Sequence, residues 1–548
     1  MRPRALAAAL LAFIACAVNA EEAPTPAALP SLAELEAAGA VIGEIRIAAD
    51  DVFNLDDPAE NNWLFRLANG IHIQTRPHVI RNQLLFRSGE KLVAQRVLES
   101  ERLLRGNRYL YQASIRPIAW RDGVVDLEVR TRDSWTLQFG ASLESAGGTT
   151  TSGARISEYN LFGTGARLTL STRSTTEVTT AGGTPSGVDF GVSYPYAFDG
   201  RTTVAYAQAN FDDGDSRSFN VTRPFYALDA RGAGNFSVAT DNRLLTQYAG
   251  GAEAGRFYRS TESADVSGGW SPGLVNGWAN RFSLGLSYLR DRYENDPRAP
   301  ATLPGDRLRA GPYLRYEVVE DDFREVTNVQ SIGRPEYQAL GLQASVQVGR
   351  STPGLGSTDL ITWYAAGVSQ GFRFHGDRTL LASAAVSGEY ANGENDRVVL
   401  GGALRYYQRR GSGALLYVAL SGDATEFSDA TQYLSLGGDT GLRGYPSNYQ
   451  LGSRRVLLTA EQRLYSDWYP LRLIRVGGAV FYDVGRAWGE PYQNFPDAHW
   501  SANVGFGLRL LSARSATGTT LHLDIAFPLR REPGLDSYQL TMESKSSF

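Results

Sequence analysis

Apolar and polar residues alternate with a period of two along many segments of the chain, most clearly between residues 456 and 485. Alternation of this kind predicts β-strands with one apolar face. In the first of two neighbouring segments, 456–464, the face opposite the apolar one carries Glu461. In the second, 475–485, that face carries Asp483. The apolar faces hold Val456, Leu458, Ala460 and Leu464 in the first segment and Val476, Val480, Tyr482 and Val484 in the second.

Alternating, strand-like windows recur from about residue 133 to the C-terminus, about 20 in all, and this recurrence is typical of a transmembrane β-barrel. The first windows lie near 135–143, 152–162, 164–174 and 187–196. After the N-terminal segment the sequence has no run of 18 apolar residues, which excludes helical membrane spans. Abundant Gly (58), Tyr (27) and Phe (23), with a mean hydropathy of -0.26, favour a barrel whose inner face is polar. A soluble all-β protein is the alternative interpretation.

Residues 41–135 show a mixed pattern of strands and helices. Ile42–Ile47 alternates as a strand, and apolar residues recur at helical spacing in 79–85 and again in Leu92–Arg105. Two further strands, Tyr109–Ile118 and Val124–Arg130, are joined by a turn at residues 121–123. We expect residues 50–62 to be a long loop whose acidic run is a solvated turn. That run lacks the glycine and the ligand periodicity of a calcium loop.

The N-terminal segment has the pattern of an export signal. Residues 1–20 combine Arg2 and Arg4 with an apolar stretch and a cleavage site before Glu21, which predicts a signal peptide. Lipidation at Cys16, the single cysteine, is the alternative interpretation. Residues 21–40 are rich in Ala and Pro and predict a periplasmic linker with a short helix from Ser31 to Ala38. A mature chain without thiols excludes disulfides and Cys-ligated metals.

A glycine-dense loop, Leu436–Pro446, precedes the two alternating strands and carries one cation, Arg443. The order of this loop, an E-x-R strand and an F-x-D-x-G strand resembles the BamA/TamA-type superfamily of outer-membrane assembly factors and transporters, which includes the bacterial surface antigen family. The resemblance implies that the loop folds into the barrel lumen and that acidic residues of the wall hold its arginine. The matching loop residues are Gly441, Leu442, Arg443, Gly444 and Tyr445, and the expected wall partners are Glu461 and Asp483.

The resemblance also implies a domain organisation. The stretches TRPHVIRNQLLFRSGEKL and LESERLLRGNRYLYQASI resemble a POTRA domain, the periplasmic module of the superfamily. We therefore expect a mostly β protein with a C-terminal 16-stranded transmembrane antiparallel β-barrel preceded by one small α+β POTRA domain. Because about 20 windows exceed 16 strands, some windows between 216 and 350 are then expected to be extracellular hairpins that extend beyond the membrane. The expected boundaries are 1–20 for the signal peptide, 21–40 for the linker, 41–135 for the POTRA-like domain and 136–548 for the barrel.

Motifs for catalysis are weak. The match to G-x-S-x-G at residues 367–371 lies inside a strand-like window, whereas a nucleophile elbow needs a strand, a turn and a helix. A hydrolase that pairs Ser369 with His375 is therefore a minor alternative. The five histidines have no metal-binding spacing, and no phosphate-binding glycine loop is present. The net charge of -4 gives no indication of nucleic-acid binding. We predict a non-enzyme without cofactor or metal.

The function implied by the resemblance is insertion or translocation of polypeptides at the bacterial outer membrane, by a specialised or accessory member of the superfamily. Expected partners are the lipid bilayer, unfolded client chains that bind the POTRA domain, and accessory periplasmic proteins or lipoproteins. The alternatives are a two-partner secretion transporter for one secreted client and a passive channel or receptor. Two further points stay open at this stage. The Arg443 cluster either controls opening or only stabilises the barrel, and the C-terminal segment 537–548 matches a barrel-sorting signal only in part.

Overall fold

The fold is mostly β. The computed structural model describes residues 29–146, 149–177, 186–249, 252–301, 303–329, 332–333, 335–391, 393–411, 413–426, 434–447, 449–489, 499–516, 520–532 and 535–545. Among these residues, no helix is long and apolar enough to cross a membrane. The predicted signal peptide and the terminal Phe548 lie outside the described residues.

The N-terminal part is an α+β domain. Its strands are β1 (Val41–Asp50), β2 (Leu110–Arg121) and β3 (Val124–Asp133), and its helices are α1 (Leu32–Ala37), α2 (Trp63–Ile71), α3 (Pro77–Arg81) and α4 (Ala94–Arg105). The sheet order is β1-β3-β2, with β1 parallel and β2 antiparallel to β3. One apolar core joins the sheet to α1, α3 and α4, and it contains Leu35, Ile42, Val79, Ile80, Val97, Leu104, Leu110, Val125, Leu127 and Val129.

Several predictions for this domain are confirmed at the level of single elements. The hairpin β2–β3 turns at Asp122 and Gly123, both with positive φ, and the helix at Leu92–Arg105 is α4, which begins at Ala94. The predicted short helix near Ser31 is α1, capped by the Ser31 side chain. Leu35 of α1 is buried in the domain core, so the linker prediction is wrong for this helix.

Helix α2 follows the predicted long loop and was not predicted. Its Phe65 stacks on Phe53 with ring centroids 3.9 Å apart. The acidic run before it is not wholly solvated, because Glu60 is buried in an ion pair with Arg514 of the barrel. A buried carboxylate needs such a partner, which the sequence pattern could not supply because the two residues are far apart in the chain.

The C-terminal part is a closed antiparallel β-barrel. Its strands are β4 (Leu137–Ala146), β5 (Thr149–Leu161), β6 (Ala166–Glu177), β7 (Gly187–Ala197), β8 (Thr202–Phe211), β9 (Gly214–Arg223), β10 (Gly232–Ala249), β11 (Ala252–Trp270), β12 (Leu274–Val275), β13 (Trp278–Asn295), β14 (Arg307–Glu320), β17 (Gln343–Arg350), β18 (Thr362–Phe374), β19 (Arg378–Ala391), β20 (Glu394–Arg410), β21 (Ala414–Glu426), β24 (Arg454–Tyr465), β25 (Ile474–Trp488), β26 (Ser501–Ser512), β27 (Thr520–Pro528) and β28 (Gln539–Lys545). Two hairpins lie outside the wall, namely β15 (Phe323–Thr327) with β16 (Pro335–Ala339) and β22 (Leu434–Leu436) with β23 (Gln450–Gly452).

The expected number of 16 strands is wrong. Among the described residues the wall contains 21 strands, of which β12 has two residues. Some of the windows between 216 and 350 were expected to be extracellular hairpins, but β10, β11, β13, β14 and β17 pair with one another or with neighbouring wall strands. Among the described residues of this region, the strands that lie outside the wall are β15 and β16.

The outer surface of the barrel is apolar. Side chains at alternate positions are exposed, as in β13, where Leu284 is 60% exposed. The exposed apolar residues of the wall include Phe139, Leu170, Phe190, Phe236, Val266, Phe282, Leu286, Leu314, Val348, Val368, Leu404, Val480, Phe506, Leu540 and Met542. A soluble protein buries such a face, whereas a membrane barrel presents it to lipid.

The two ends of the barrel differ. The α+β domain contacts the turns at one end, called the domain end, where Arg76 Nε donates to Phe162 O (3.0 Å) and Arg201 Nη2 donates to Leu84 O (2.9 Å). Successive connections alternate between the ends. The β24–β25 connection reaches the domain through Leu473, so the long β21–β24 connection lies at the opposite end, called the loop end.

Candidate functional site in the barrel lumen

The lumen loop, residues 436–446, lies in the β21–β24 connection and folds against the inner wall of β24–β27. The β22–β23 pair closes its base, and a 3-10 turn, Gly438–Thr440, precedes Gly441. Gly441 has a φ of 105°, which favours glycine, and a Cβ there would lie 2.6 Å from Leu457. Leu436, Leu442 and Tyr445 are buried with Ala487 of β25. The loop is therefore packed, not merely present, in the lumen.

Arg443 is the centre of the site. Its Nε and Nη2 atoms donate to the two carboxylate oxygens of Asp483 at 2.9 and 2.8 Å. Its Nη1 atom donates to Glu461 Oε1 at 2.7 Å. The guanidinium also stacks on Phe481, with Cζ 3.4 Å from the ring centroid. The planar fork of arginine suits this bidentate geometry, which a lysine cannot reproduce.

The structure adds residues that the sequence analysis missed. Asp524 of β27 accepts from Arg443 Nη1 at 3.3 Å and forms an ion pair with Arg509 of β26. Arg463 Nε donates to Glu461 Oε2 at 2.9 Å. The carboxylates of Glu461, Asp483 and Asp524 are thus balanced by Arg443, Arg463 and Arg509, and we call these six residues the lumen cluster. The inward position of Asp524 in LHLDIAF was readable from alternation, but its proximity to the loop was not.

Hydrogen bonds fix the loop backbone beside the cluster. Gly444 N donates to Asn503 Oδ1 at 3.1 Å, and Asn503 Nδ2 donates to Asp483 Oδ2 at 2.8 Å. Tyr445 OH donates to Ala502 O at 3.1 Å. A Cβ at Gly444 would lie 2.6 Å from the Cβ of Asn503, so only glycine allows this approach. All five residues of the predicted motif, 441–445, therefore lie against the wall.

The electrostatics of the lumen cluster favour binding of the lumen loop to the wall over acid–base chemistry. Burial works against the charge of Arg443, but the hydrogen bonds and the negative charge of Asp483, with Glu461 and Asp524, outweigh it and raise the pKa of Arg443 above its usual value. Each carboxylate accepts hydrogen bonds from arginine, so the cluster is a buried ionic network that holds the loop to the wall.

The other candidate from the sequence, Ser369, lies within β18 and pairs with residues of β17 and β19, and His375 follows in the next turn.

A second segment enters the barrel from the domain end. The β14–β17 connection contains the β15–β16 pair, and we call residues 323–339 the domain-end hairpin. Val326 and Val329 pack against Tyr407 and Leu415 on the inner wall of β20 and β21. The hairpin therefore reaches across the domain end from β14 to wall strands far along the barrel.

Arg463 connects the domain-end hairpin to the lumen cluster. Its Nη1 atom donates to the carbonyl oxygen of Val329 at 3.1 Å, while its Nε atom binds Glu461. The neighbouring Tyr465 OH donates to Asn328 O at 2.7 Å. Arg463 therefore contacts the domain-end hairpin directly and contacts Arg443 of the lumen loop through Glu461.

Helix α4 of the N-terminal domain holds the other end of the hairpin. Arg105 Nη1 donates to Glu325 Oε2 at 2.7 Å, and Arg102 lies over the ring of Phe323 at 3.6 Å. Burial lowers the stability of the Arg105 charge, but Glu101, Tyr337 and Glu325 outweigh this effect and raise the pKa of Arg105. Contacts therefore run without a break from α4 through the hairpin and the lumen cluster to the lumen loop.

We predict that Arg443→Ala loosens the lumen loop while the barrel still folds. The substitution leaves Asp483 and Glu461 short of a buried partner, which costs about 3–5 kcal/mol, or less where water enters. Limited proteolysis of the folded protein in lipid should cleave within residues 436–446 faster in the variant. The gel-mobility change of the folded barrel on heating should be kept. The cleavage rate of Arg443→Lys should lie between those of Arg443→Ala and the unmodified protein, because lysine keeps the charge but lacks the planar guanidinium.

The matched control is Arg454→Ala, which removes an exposed arginine at the start of β24. Equal cleavage rates in the Arg443→Ala variant, the control and the unmodified protein would show that the lumen cluster does not hold the loop.

Comparisons with known proteins find matches among solved structures. No family model matches the chain, and no curated protein matches it. The chain is similar to BamA from Haemophilus ducreyi lacking POTRA domains 1-3, with 13% identity over 92% of this chain and 83% of that chain and a TM-score of 0.38. It is also similar to CdiB from Acinetobacter baumannii (10% identity, 92% and 73% covered, TM-score 0.43) and to CdiB from Escherichia coli (12%, 92% and 75%, TM-score 0.45).

Proposed function

We propose that this chain is an outer-membrane protein that inserts or translocates other polypeptides, with its N-terminal domain acting as a POTRA domain. The observation that carries the proposal is the position of the lumen loop inside a closed barrel. Arg443 of the loop donates hydrogen bonds to Asp483 and Glu461 of the wall. The motif that the sequence analysis identified by resemblance has the buried, multiply bonded position that such a loop requires.

The apolar outer face supports a membrane location. Exposed leucine, phenylalanine and valine side chains alternate with inward residues along the wall strands, and the lumen contains the charged cluster. This apolar-out, polar-in arrangement is that of outer-membrane barrels. The export signal expected at residues 1–20 supports the same compartment.

The N-terminal sheet offers edges for an incoming chain. The sheet order leaves β1 and β2 as edge strands. Residues 89–92 hydrogen-bond the start of β1, and α4 side chains bond β2 at Ala113 and Ile115. The later parts of both strands are the proposed docking edges, where an extended client would add a strand by main-chain hydrogen bonds.

The mechanism that we propose uses the two segments in the lumen as closures. The lumen loop closes the barrel from the loop end and the domain-end hairpin closes it from the domain end. Arg463 bonds to both, through Glu461 and through Val329 O. A client that binds beside α4 would weaken the contacts of Arg105 and Arg102 with the hairpin and favour its withdrawal. This connection favours a role of the lumen cluster in opening, beyond stabilisation of the barrel.

The function is tested by quantitative proteomics of outer membranes and culture medium from cells with and without the protein. Joint loss of several barrel proteins supports an assembly role, and loss of one large secreted protein supports a dedicated two-partner transporter. The gene for Arg443→Ala should fail to restore the lost proteins, whereas Arg454→Ala should restore them. No change in either fraction would contradict protein handling and leave the passive channel or receptor.

Conductance in planar bilayers distinguishes a closed transporter from an open channel. We predict low conductance for the unmodified protein and a several-fold higher conductance when residues 323–339 are replaced by a short Gly-Ser turn. The reason is that the hairpin packs against the inner wall of β20, β21 and β24 at the domain end of the lumen. The control is Arg454→Ala, which removes an exposed side chain at the start of β24 and should change little. High conductance that the deletion leaves unchanged would contradict the proposed closure.

A further inference from the structure

Helix α2 presents an apolar face that the described part of the chain leaves exposed. Trp63 is 71% exposed and Leu67 is 53% exposed, and Leu64 and Ile71 are exposed as well. These positions share one side of a helix because residues three to four apart lie above one another. A stripe of this kind is far more apolar than the usual solvent face of a helix.

The helix cannot turn this face inward. Its other side is fixed by Phe65, which is buried against Val52 and stacks on Phe53. The Asn69 side chain bonds both backbone groups of Phe53, at 3.1 and 2.9 Å, and Asn62 caps the first turn by accepting from Phe65 N at 3.0 Å. The exposed stripe is therefore part of a well-anchored helix.

The position of α2 in the fold indicates what covers the stripe. Leu473 of the β24–β25 turn and Trp135, just before β4, pack in the same cluster as Phe65. The β24–β25 turn exposes Trp468 and Leu471, and the strands that it joins expose Leu464 and Ile474. Exposed apolar residues thus continue from the outer face of the barrel, across a turn at its domain end, to the element that anchors α2.

We propose that α2 lies in the interface of the lipid leaflet at the domain end of the barrel, with Trp63, Leu64, Leu67 and Ile71 among the lipid headgroups and upper acyl chains. The inference rests on the proposed function, since it needs the barrel to lie in a bilayer. Trp63 and Trp468 suit this position because an indole ring has an apolar body and a polar N–H. Arg66, exposed on the same helix, would lie near lipid phosphates.

The membrane contact would give the N-terminal domain a fixed orientation. The cluster of Phe65 includes Trp135, at the point where the chain enters β4, and the buried Glu60–Arg514 ion pair ties the preceding loop to the β26–β27 connection. A helix held both by lipid and by the barrel rim would restrict the domain to the side of the barrel where its first and last strands lie. Client edges would then be presented close to the bilayer.

The test uses single-cysteine variants of the full protein in a Cys16→Ser background, labelled with the environment-sensitive dye NBD. Leu67→Cys reports on α2. Val124→Cys, 42% exposed at the β2–β3 turn, is the control for an exposed site on the same domain, and Leu284→Cys on the barrel exterior is the control for lipid contact. All three replace exposed side chains, so folding should be kept. The proteins are reconstituted in phosphatidylethanolamine–phosphatidylglycerol vesicles with nitroxide-labelled lipids.

We expect the Leu67→Cys label to emit at shorter wavelength and to be quenched at least twofold by nitroxides near the headgroup, with the Val124→Cys label unaffected. A Leu67→Cys label that behaves like the Val124→Cys label, while the Leu284→Cys label is quenched, would overturn the lipid contact alone. Loss of quenching at Leu284→Cys too would overturn the membrane barrel itself. Shielding of the Leu67→Cys label only after an unfolded polypeptide or more protein is added would assign the stripe to a client or to a second copy instead.

Discussion

The pairing of one buried arginine with carboxylates of the wall is the constraint on which the lumen depends. A charged guanidinium cannot be removed from water without partners, and Arg443 finds them in Asp483, Glu461 and Asp524. The same requirement fixes the loop in one place, because only there do its donors meet all three carboxylates. We expect the buried ionic cluster of this protein to supply specificity of position more than net stability.

Alternation in the sequence was sufficient to place the two wall partners on the lumen side, because a strand period of two assigns faces without knowledge of the fold. It was insufficient for Asp524, which lies 81 residues from Arg443 in sequence and becomes a neighbour only through the register of β25, β26 and β27. The predicted strand windows near 135–143, 152–162, 164–174 and 187–196 overlap the observed strands β4 to β7. The expected number of 16 came from the resemblance, and the pairing of the region between 216 and 350 into the wall overrides it.

Helix α2 and the domain-end hairpin were beyond the sequence pattern for different physical reasons. The apolar stripe of α2 points outward, so it does not match the expectation that apolar residues mark the core. The hairpin has the residue pattern of an ordinary strand pair. Its position in the lumen is set by tertiary contacts, such as that of Arg463 with Val329 O, which the sequence pattern does not predict. Helix α2 belongs to the N-terminal domain, and the hairpin contacts that domain through α4. Together they relate the domain to the lumen and to the proposed lipid interface.

The central claim is that the lumen cluster joins the lumen loop to the domain-end hairpin, and hydrogen–deuterium exchange of the protein in lipid tests it most directly. The account predicts that residues 436–446 of the unmodified protein exchange as slowly as β24 and β25. In Arg443→Ala, exchange should rise in that loop and also in residues 323–329, while the wall strands stay protected. Rapid exchange of the loop in the unmodified protein, or a variant in which the hairpin stays fully protected, would contradict the coupling.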